Sequence, residues 1–154
     1  MSARQAFDGT PSTVITTTGT IADGIFTVDS TNATITQFDN SVDLWPSAVL
    51  TLALPDTFLA APTVGSTIDV YICRDDLAGG TGDETAPTTT LQKGASYLTS
   101  FRLYATDEDQ PKAQTVSLLG IRKCRFFLQN NSGTTLSYSS GATLKCEGVT
   151  YADV

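Results

Sequence analysis

Apolar and polar residues alternate with a period of two along several short stretches of this chain. Ala48, Leu50, Leu52 and Leu54 fall on one side, with Ser47 and Thr51 on the other. Ile68, Val70 and Ile72 oppose Asp69, Tyr71 and Cys73, and Cys124, Phe126 and Leu128 oppose Arg125, Phe127 and Gln129. Such a period marks a strand with one face in a core, because successive Cβ atoms point to opposite sides of the pleat. Read this way, the chain carries ten candidate strands. They lie at about Thr13–Thr18, Thr20–Val28, Ala33–Phe38, Ser47–Leu54 and Ser66–Arg74, then Ala95–Ala105, Ala113–Leu119, Arg122–Gln129, Thr134–Ser139 and Ala142–Val149. Asp23-Gly24, Asp39-Asn40, Asn130-Asn131-Ser132-Gly133 and Ser139-Ser140-Gly141 separate them. Asn, Asp and Gly accept the positive φ that tight turns demand. No window has the 3.6-residue stripe of a helix, although Asp56 to Ala61, between Pro55 and Pro62, has room for one helical turn.

Many short strands with regular turn signals predict an all-β fold, an antiparallel β-sandwich or barrel. Eight core strands plus extras fit a sandwich of jelly-roll type with about eight to ten strands. Immunoglobulin-like and up-and-down barrel topologies fit the same pattern, since periodicity does not encode strand order. The 154 residues suit one domain, and a globule of this length buries roughly 68–70% of its unfolded surface. Residues 1–12 are small and polar and read as an N-terminal arm, leaving 13–154 as a single β-sandwich domain.

Two segments lack an apolar pattern of their own. One is the arm, in which Phe7 is the large apolar residue after Met1. The other runs from Asp75 to Gly94, DDLAGGTGDETAPTTTLQKG, and loops of this length in compact domains are usually functional or mobile. Both are expected to become ordered only against an external surface. The candidate partner-binding residues are therefore Phe7, Asp75, Asp76, Asp83 and Glu84.

Composition narrows the chemistry. The formal net charge is −7 and charged residues are only 16% of the chain, so Thr and Ser carry most of its polarity. A net negative charge repels phosphate backbones and anionic lipid, which argues against nucleic-acid and membrane partners. No apolar run nears the ~20 residues that cross a bilayer; the best, Ala48 to Leu54, is interrupted by Thr51 and stopped by Pro55. Met1-Ser2-Ala3-Arg4-Gln5 lacks the apolar core of a signal peptide, so production in a cytoplasm is expected. Cys73, Cys124 and Cys146 are an odd number with no CxxC spacing, and are expected reduced, with at least two buried.

The chain has no histidine, which removes the commonest general base and the Ser-His and Cys-His pairs. It has no GxxxxGK[ST] or GxGxxG. Lys93, Lys112, Lys123 and Lys145 sit in no Ser-Lys motif, and thirteen aspartates form no recognisable glycosidase pair. Asp75-Asp76, Asp83-Glu84 and Asp107-Glu108-Asp109 lack EF-hand spacing and read as solvated strand ends. No catalytic residue, metal or cofactor is expected. Trp45, Tyr97, Tyr104 and Tyr138 offer an aromatic platform for a sugar, against the commoner use of strand aromatics as core. Arg122-Lys123 with Arg125 read as ion-pair partners for the acidic surface.

Two stretches, STIDVYICRDDLAGGTGDETAPTTTLQKGASYLTSFRLYATDEDQ (Ser66 to Gln110) and CRFFLQNNSGTTLSYSSGATL (Cys124 to Leu144), resemble the jelly-roll cement, or decoration, proteins of tailed bacteriophages. Together they cover somewhat under half of the chain, and the resemblance lies in texture and length, without a diagnostic motif. It implies a structural virion protein on the outer surface of the phage head. Such a protein binds the major capsid protein, bridges adjacent subunits and stabilises the shell without catalysis. It also implies a homo-oligomer, with a dimer favoured over a trimer, and transfers no binding residue. A carbohydrate- or receptor-binding module of a phage fibre is the alternative.

Overall fold

A computed structural model describes residues 4–7, 10–54, 61–75, 84–104, 111–136 and 141–152. They form ten strands: β1 (Arg4–Phe7), β2 (Ser12–Thr17), β3 (Ala33–Ile35), β4 (Phe38–Asp39) and β5 (Ser47–Ala53), then β6 (Thr67–Arg74), β7 (Ser96–Arg102), β8 (Lys112–Ser117), β9 (Lys123–Asn131) and β10 (Thr143–Ala152). Every pairing between them is antiparallel, and no helix occurs among the described residues. One sheet has the order β3-β2-β10-β5-β8, and the other β4-β9-β6-β7. The expected all-β sandwich is the fold observed.

The alternating stretches supply the layer between the sheets. Leu50, Leu52 and Leu144 from the first sheet meet Ile68, Val70, Phe101 and Phe126 from the second, each with at most 1% of its surface exposed. Full burial of a Leu or Phe side chain contributes about 1.5–3 kcal/mol, so this layer is the main source of cohesion. All three cysteines are buried and free, as expected from their strand positions.

Four sequence expectations need correction. Part of the arm is strand: β1 lies along β10, Phe7 opposite Val149, on the same edge of β10 that β2 occupies from Ser12 to Thr16. The stretch from Ala33 to Phe38 is two strands in different sheets, joined across the sandwich by Thr36 and Gln37. Residues 20–28 and 134–136 are not ladder strands. Instead Ile21 exchanges two backbone hydrogen bonds with Leu136, and the turn at Gly24 (φ +75°) interrupts any longer pairing. Thr27 N–H donates to Leu128 O and Asn130 N–H to Ile25 O, so this irregular segment covers the edge of β9 beyond short β4. The remainder of the predicted Thr134–Ser139 strand, 137–139, lies outside the described residues.

The fourth correction concerns which faces are dry. Tyr71, Cys73 and Phe127 sit opposite the core face of β6 and β9, yet they too are buried. With Phe26 and Ala95 they form a second apolar cluster on the outer side of the smaller sheet. Its roof is the 21–28 segment together with residues 84–95. Phe26 N–H donates to Thr89 O at 2.9 Å, Gly94 N–H to Thr85 O at 3.1 Å, and Glu84 N–H to Arg74 O at 3.1 Å. The described part of the long Asp75–Gly94 loop is thus fixed against its own domain, by backbone bonds that leave no periodic side-chain pattern.

Candidate functional site

Of the five residues singled out in the sequence, Asp75 and Glu84 have described side chains. Asp75 follows β6 directly and is buried. Arg125 on β9 holds it through Nε to Oδ2 and Nη2 to Oδ1, both at 2.9 Å, and Gln37 Nε2 donates to Oδ2 at 3.0 Å. The hydrogen bond from Arg125 to Asp75 holds the guanidinium above its ordinary pKa, against the opposing effect of burial. This carboxylate is buried and held internally. Glu84 Oε2 accepts the Arg74 backbone N–H at 2.6 Å, closing the base of the loop. Phe7 is placed by its backbone in β1, whereas Asp76 and Asp83 lie outside the described residues. Of the basic cluster, Lys123 Nζ pairs with exposed Asp39 Oδ2 at 3.3 Å, as expected, whereas Arg125 pairs inward with buried Asp75.

Beside Arg125 a recess of about 360 Å³ is lined by Val28, Ile35, Ala86, Pro87 and Phe127, with Asp29 and Gln37 at its polar side. The guanidinium lies 5.7 Å from the Phe127 ring centroid. No nucleophile faces a general base there. Among the described residues, no group of three or more His, Cys, Asp or Glu side chains is placed to hold a metal ion.

The most distinctive surface lies at one end of the sandwich, where the β4–β5 loop meets the β8–β9 turn. Asn40 is the hub. Its Nδ2 donates to Trp45 O at 3.0 Å and Ile121 O at 3.1 Å, while its Oδ1 accepts Trp45 N–H at 2.7 Å. That clamp ties the two loops together, and Leu44 between them takes a left-handed φ of 52°. In the facing turn Ile121 N–H donates to Leu118 O at 2.9 Å, and Gly120 supplies a φ of +76°. Leu118 points into the core and Leu119 points out.

The result is three large apolar side chains at loop tips: Val42 is 84% exposed, Leu44 57% and Leu119 80%. Leu44 and Leu119, with Trp45, Pro46, Leu118 and Ile121, line a recess of about 290 Å³. Turn tips ordinarily carry Gly, Asn, Asp or Ser, so an apolar set there calls for a reason. Contiguous exposed apolar groups rimmed by polar ones mark interaction surfaces. The strand-based reading passed over these residues. The available signals were the doublet Leu118-Leu119 before Gly120 and the alternation Val42-Asp43-Leu44 inside a turn.

Trp45, Tyr97 and Tyr104 do not form one platform. Trp45 packs on Phe38 of β4, with ring centroids 6.0 Å apart, at one edge of the smaller sheet's strand order. Tyr97 belongs to β7, the other edge, and stands edge-on to Tyr71 at 5.8 Å. Tyr104 lies between Arg102 and Lys112, at 5.9 and 5.3 Å from its centroid, and Tyr138 lies outside the described residues. Around Tyr97 the outer face is polar. Tyr71 Oη donates to Gln129 Oε1 at 3.2 Å, and Asn131 Nδ2 donates to Asp69 Oδ2 at 2.8 Å. Burial pushes the Tyr71 hydroxyl above its ordinary pKa, and the Asp69 carboxylate adds to that. Compared with family models and with curated proteins, the chain matches none.

Proposed function

We propose that this protein is a structural virion component, a capsid cement or decoration protein. It binds the outer surface of a phage head and bridges major capsid protein subunits. The observation that carries the reading is the apolar end that bears Val42, Leu44 and Leu119, where Asn40 ties the two loops together. An apolar patch suits protein surface better than a small polar ligand, because burying it releases water without requiring a matched partner for each group.

The strand order supports the reading. Set aside β1 and β3, and the remaining eight strands form two four-stranded sheets, β2-β10-β5-β8 and β4-β9-β6-β7. We read this as the jelly-roll order, which recurs in viral capsid and lectin domains. Fold alone does not assign function, so the weight stays on the apolar end. Stabilisation of the shell then needs no chemistry. A ligand present at a hundred times its dissociation constant adds ~2.7 kcal/mol to the state it binds, and many copies act together.

The test is binding to purified empty capsids, followed by capsid melting. The wild-type protein binds in a fixed copy number and raises the melting temperature, while Leu119→Asp combined with Val42→Asp loses both effects and keeps the β-sheet spectrum. Wild-type protein that leaves capsids unbound rejects the reading.

A second reading, a carbohydrate-binding module of a fibre, is favoured by Tyr97. This ring is 56% exposed beside the Asp69, Gln129 and Asn131 groups, a mixture that suits sugar hydroxyls. Glycan binding abolished by Tyr97→Ala, with no capsid binding, selects it.

A further inference from the structure

A sheet edge presents unpaired N–H and C=O groups, and a long, flat, uncharged edge is a template for another chain. The edges of this molecule are unequally guarded. β3 is three residues long and β4 two. β7 has its register with β6 broken between Val70 and Tyr71. β8 differs from all of them. It runs in unbroken register with β5, from Lys112 opposite Leu52 to Ser117 opposite Ser47, and no described strand pairs its other side.

The direction of its backbone groups follows from one bond. Leu118 N–H donates to Pro46 O at 2.9 Å, directly across the continuation of the same register. Alternate residues of an antiparallel strand point the same way, so Val116 and Gln114 also face β5. Ala113, Thr115 and Ser117 direct their N–H and C=O groups outward, and their side chains are exposed. Lys112-Ala113-Gln114-Thr115-Val116-Ser117 contains no proline, no carboxylate and no bulge. Its one charge, Lys112, is drawn to the end of the strand over the Tyr104 ring.

We propose that β8 is the seam of a homodimer, pairing antiparallel with β8 of a second copy about a two-fold axis through Thr115. That register sets Thr115 opposite Thr115 and Ala113 opposite Ser117. Each such pair exchanges two backbone hydrogen bonds, about six in all. The edge is self-complementary in three respects. Thr–Thr cross-strand pairs are favourable. Each Lys112 faces the Leu118 end of the other copy, not the other Lys112. No carboxylate is among the six residues of the strand itself, so the seam sets no acidic side chain of β8 against another. Next to the strand end, a recess of about 360 Å³ lined by Pro46, Thr115, Val116 and Leu119 offers apolar surface to the second copy. A two-fold axis uses both edges at once, which closes the assembly instead of propagating it. The dimer does not depend on the capsid reading.

The experiment measures mass by sedimentation across a dilution series of the wild-type chain and three variants. Wild type sediments as a dimer that dissociates on dilution. Thr115→Pro removes one outward N–H and no bond to β5, so it sediments as a folded monomer. Gln114→Pro removes a bond to β5 and lowers the unfolding midpoint instead. Thr115→Lys sets like charges opposite each other and weakens association by about tenfold, which keeps the test decisive should the proline variant unfold. Hydrogen exchange supplies the second readout: amides of Ala113, Thr115 and Ser117 are protected in the dimer and exchange freely after dilution. Wild type at single-chain mass throughout, or a Thr115→Lys variant as dimeric as wild type, overturns the proposal. Protection of those amides only when capsid is added overturns it as well, and assigns the edge to an extended segment of another protein.

Discussion

The carboxylate of Asp75 is fully buried against the guanidinium of Arg125, joined by two parallel hydrogen bonds of 2.9 Å. This pair links the exit of β6 to the start of β9. Asp75 N–H donates to Lys123 O at 2.9 Å, and Arg125 Nη2 reaches Glu84 O at 3.4 Å. The ion pair therefore sets where the long loop leaves the sheet and where it returns.

Arg125→Ala leaves a buried carboxylate without its counter-ion. Breaking one partner of a buried pair costs about 3–5 kcal/mol, more than the pair itself contributes relative to an apolar substitute. Urea unfolding of Arg125→Ala is expected to show that loss, and the double variant Arg125→Leu with Asp75→Leu recovers much of it. A single variant as stable as wild type means that the carboxylate finds water, and the internal role assigned to Asp75 fails.

Trp45 and Gly148 give a more local test. The indole lies against the Gly148 backbone, so a Cβ at 148 would overlap the ring. Gly148→Ala forces the tryptophan off β10, with an overpacking cost of about 1–3 kcal/mol. Trp45 is the one tryptophan of the chain, so its fluorescence reports the displacement directly. Gly19→Ala is the control, since nothing lies within 4 Å of its would-be Cβ. That change is expected to leave the emission untouched and stability unchanged or slightly raised.

Period-two alternation located β5, β6, β8 and β9 because a half-buried strand forces it on the sequence. It misplaced residues 20–28 because their order comes from backbone bonds to β9 and Thr89, which demand no side-chain period. Thr27 illustrates the gap: its hydroxyl accepts Leu128 N–H at 2.9 Å, a role any polar position in sequence could hide. Asp75 was legible as an acid in a loop, but its partner fifty residues away was not, since sequence distance carries no spatial information. The apolar end escaped for the opposite reason. Val42 and Leu44 fall between the strands ending at Phe38 and starting at Ser47, and nothing in the sequence shows that the Asn40 clamp turns them outward.

Phe26 tests the roof over the second cluster. Its ring stands edge-on to Tyr71 at 5.1 Å, and its N–H anchors Thr89. Phe26→Ala removes the ring and leaves the backbone, at a cost of about 3 kcal/mol if the site cannot collapse. Amides of residues 84–95, Gly94 among them, are expected to lose protection, while β5 and β10 amides keep theirs. Equal loss of protection in both sheets would show that the roof and the main core unfold as one unit.

The thiols predict how stability falls at alkaline pH. Burial pushes Cys73 up to about 11, with Arg125 opposing, and Cys146 up to about 12. A thiol exposed by unfolding ionises near its ordinary value of 9.0. Below that value both states hold the proton, so this source of stability is fully present. As pH rises beyond it the unfolded chain loses its protons first, and the folded state is penalised until its own thiols ionise. The slope is thus negative from about pH 9 to about pH 12, at most about 1.4 kcal/mol per pH unit for each thiol. Tyr71, raised by burial from 10.0, adds to the same slope in the upper part of that window. Urea midpoints at about pH 8 and about pH 10.5 should therefore differ in wild type. The difference should shrink in Cys146→Ala, whose small cavity lowers both midpoints alike. Iodoacetamide gives the kinetic counterpart: at about pH 8 the native thiols react far more slowly than the same thiols in denaturant, because only the thiolate attacks and neither ionisation nor access is available in the fold. Rapid alkylation of Cys146 in the native protein would mean that β10 opens locally, and the alkaline slope would then disappear.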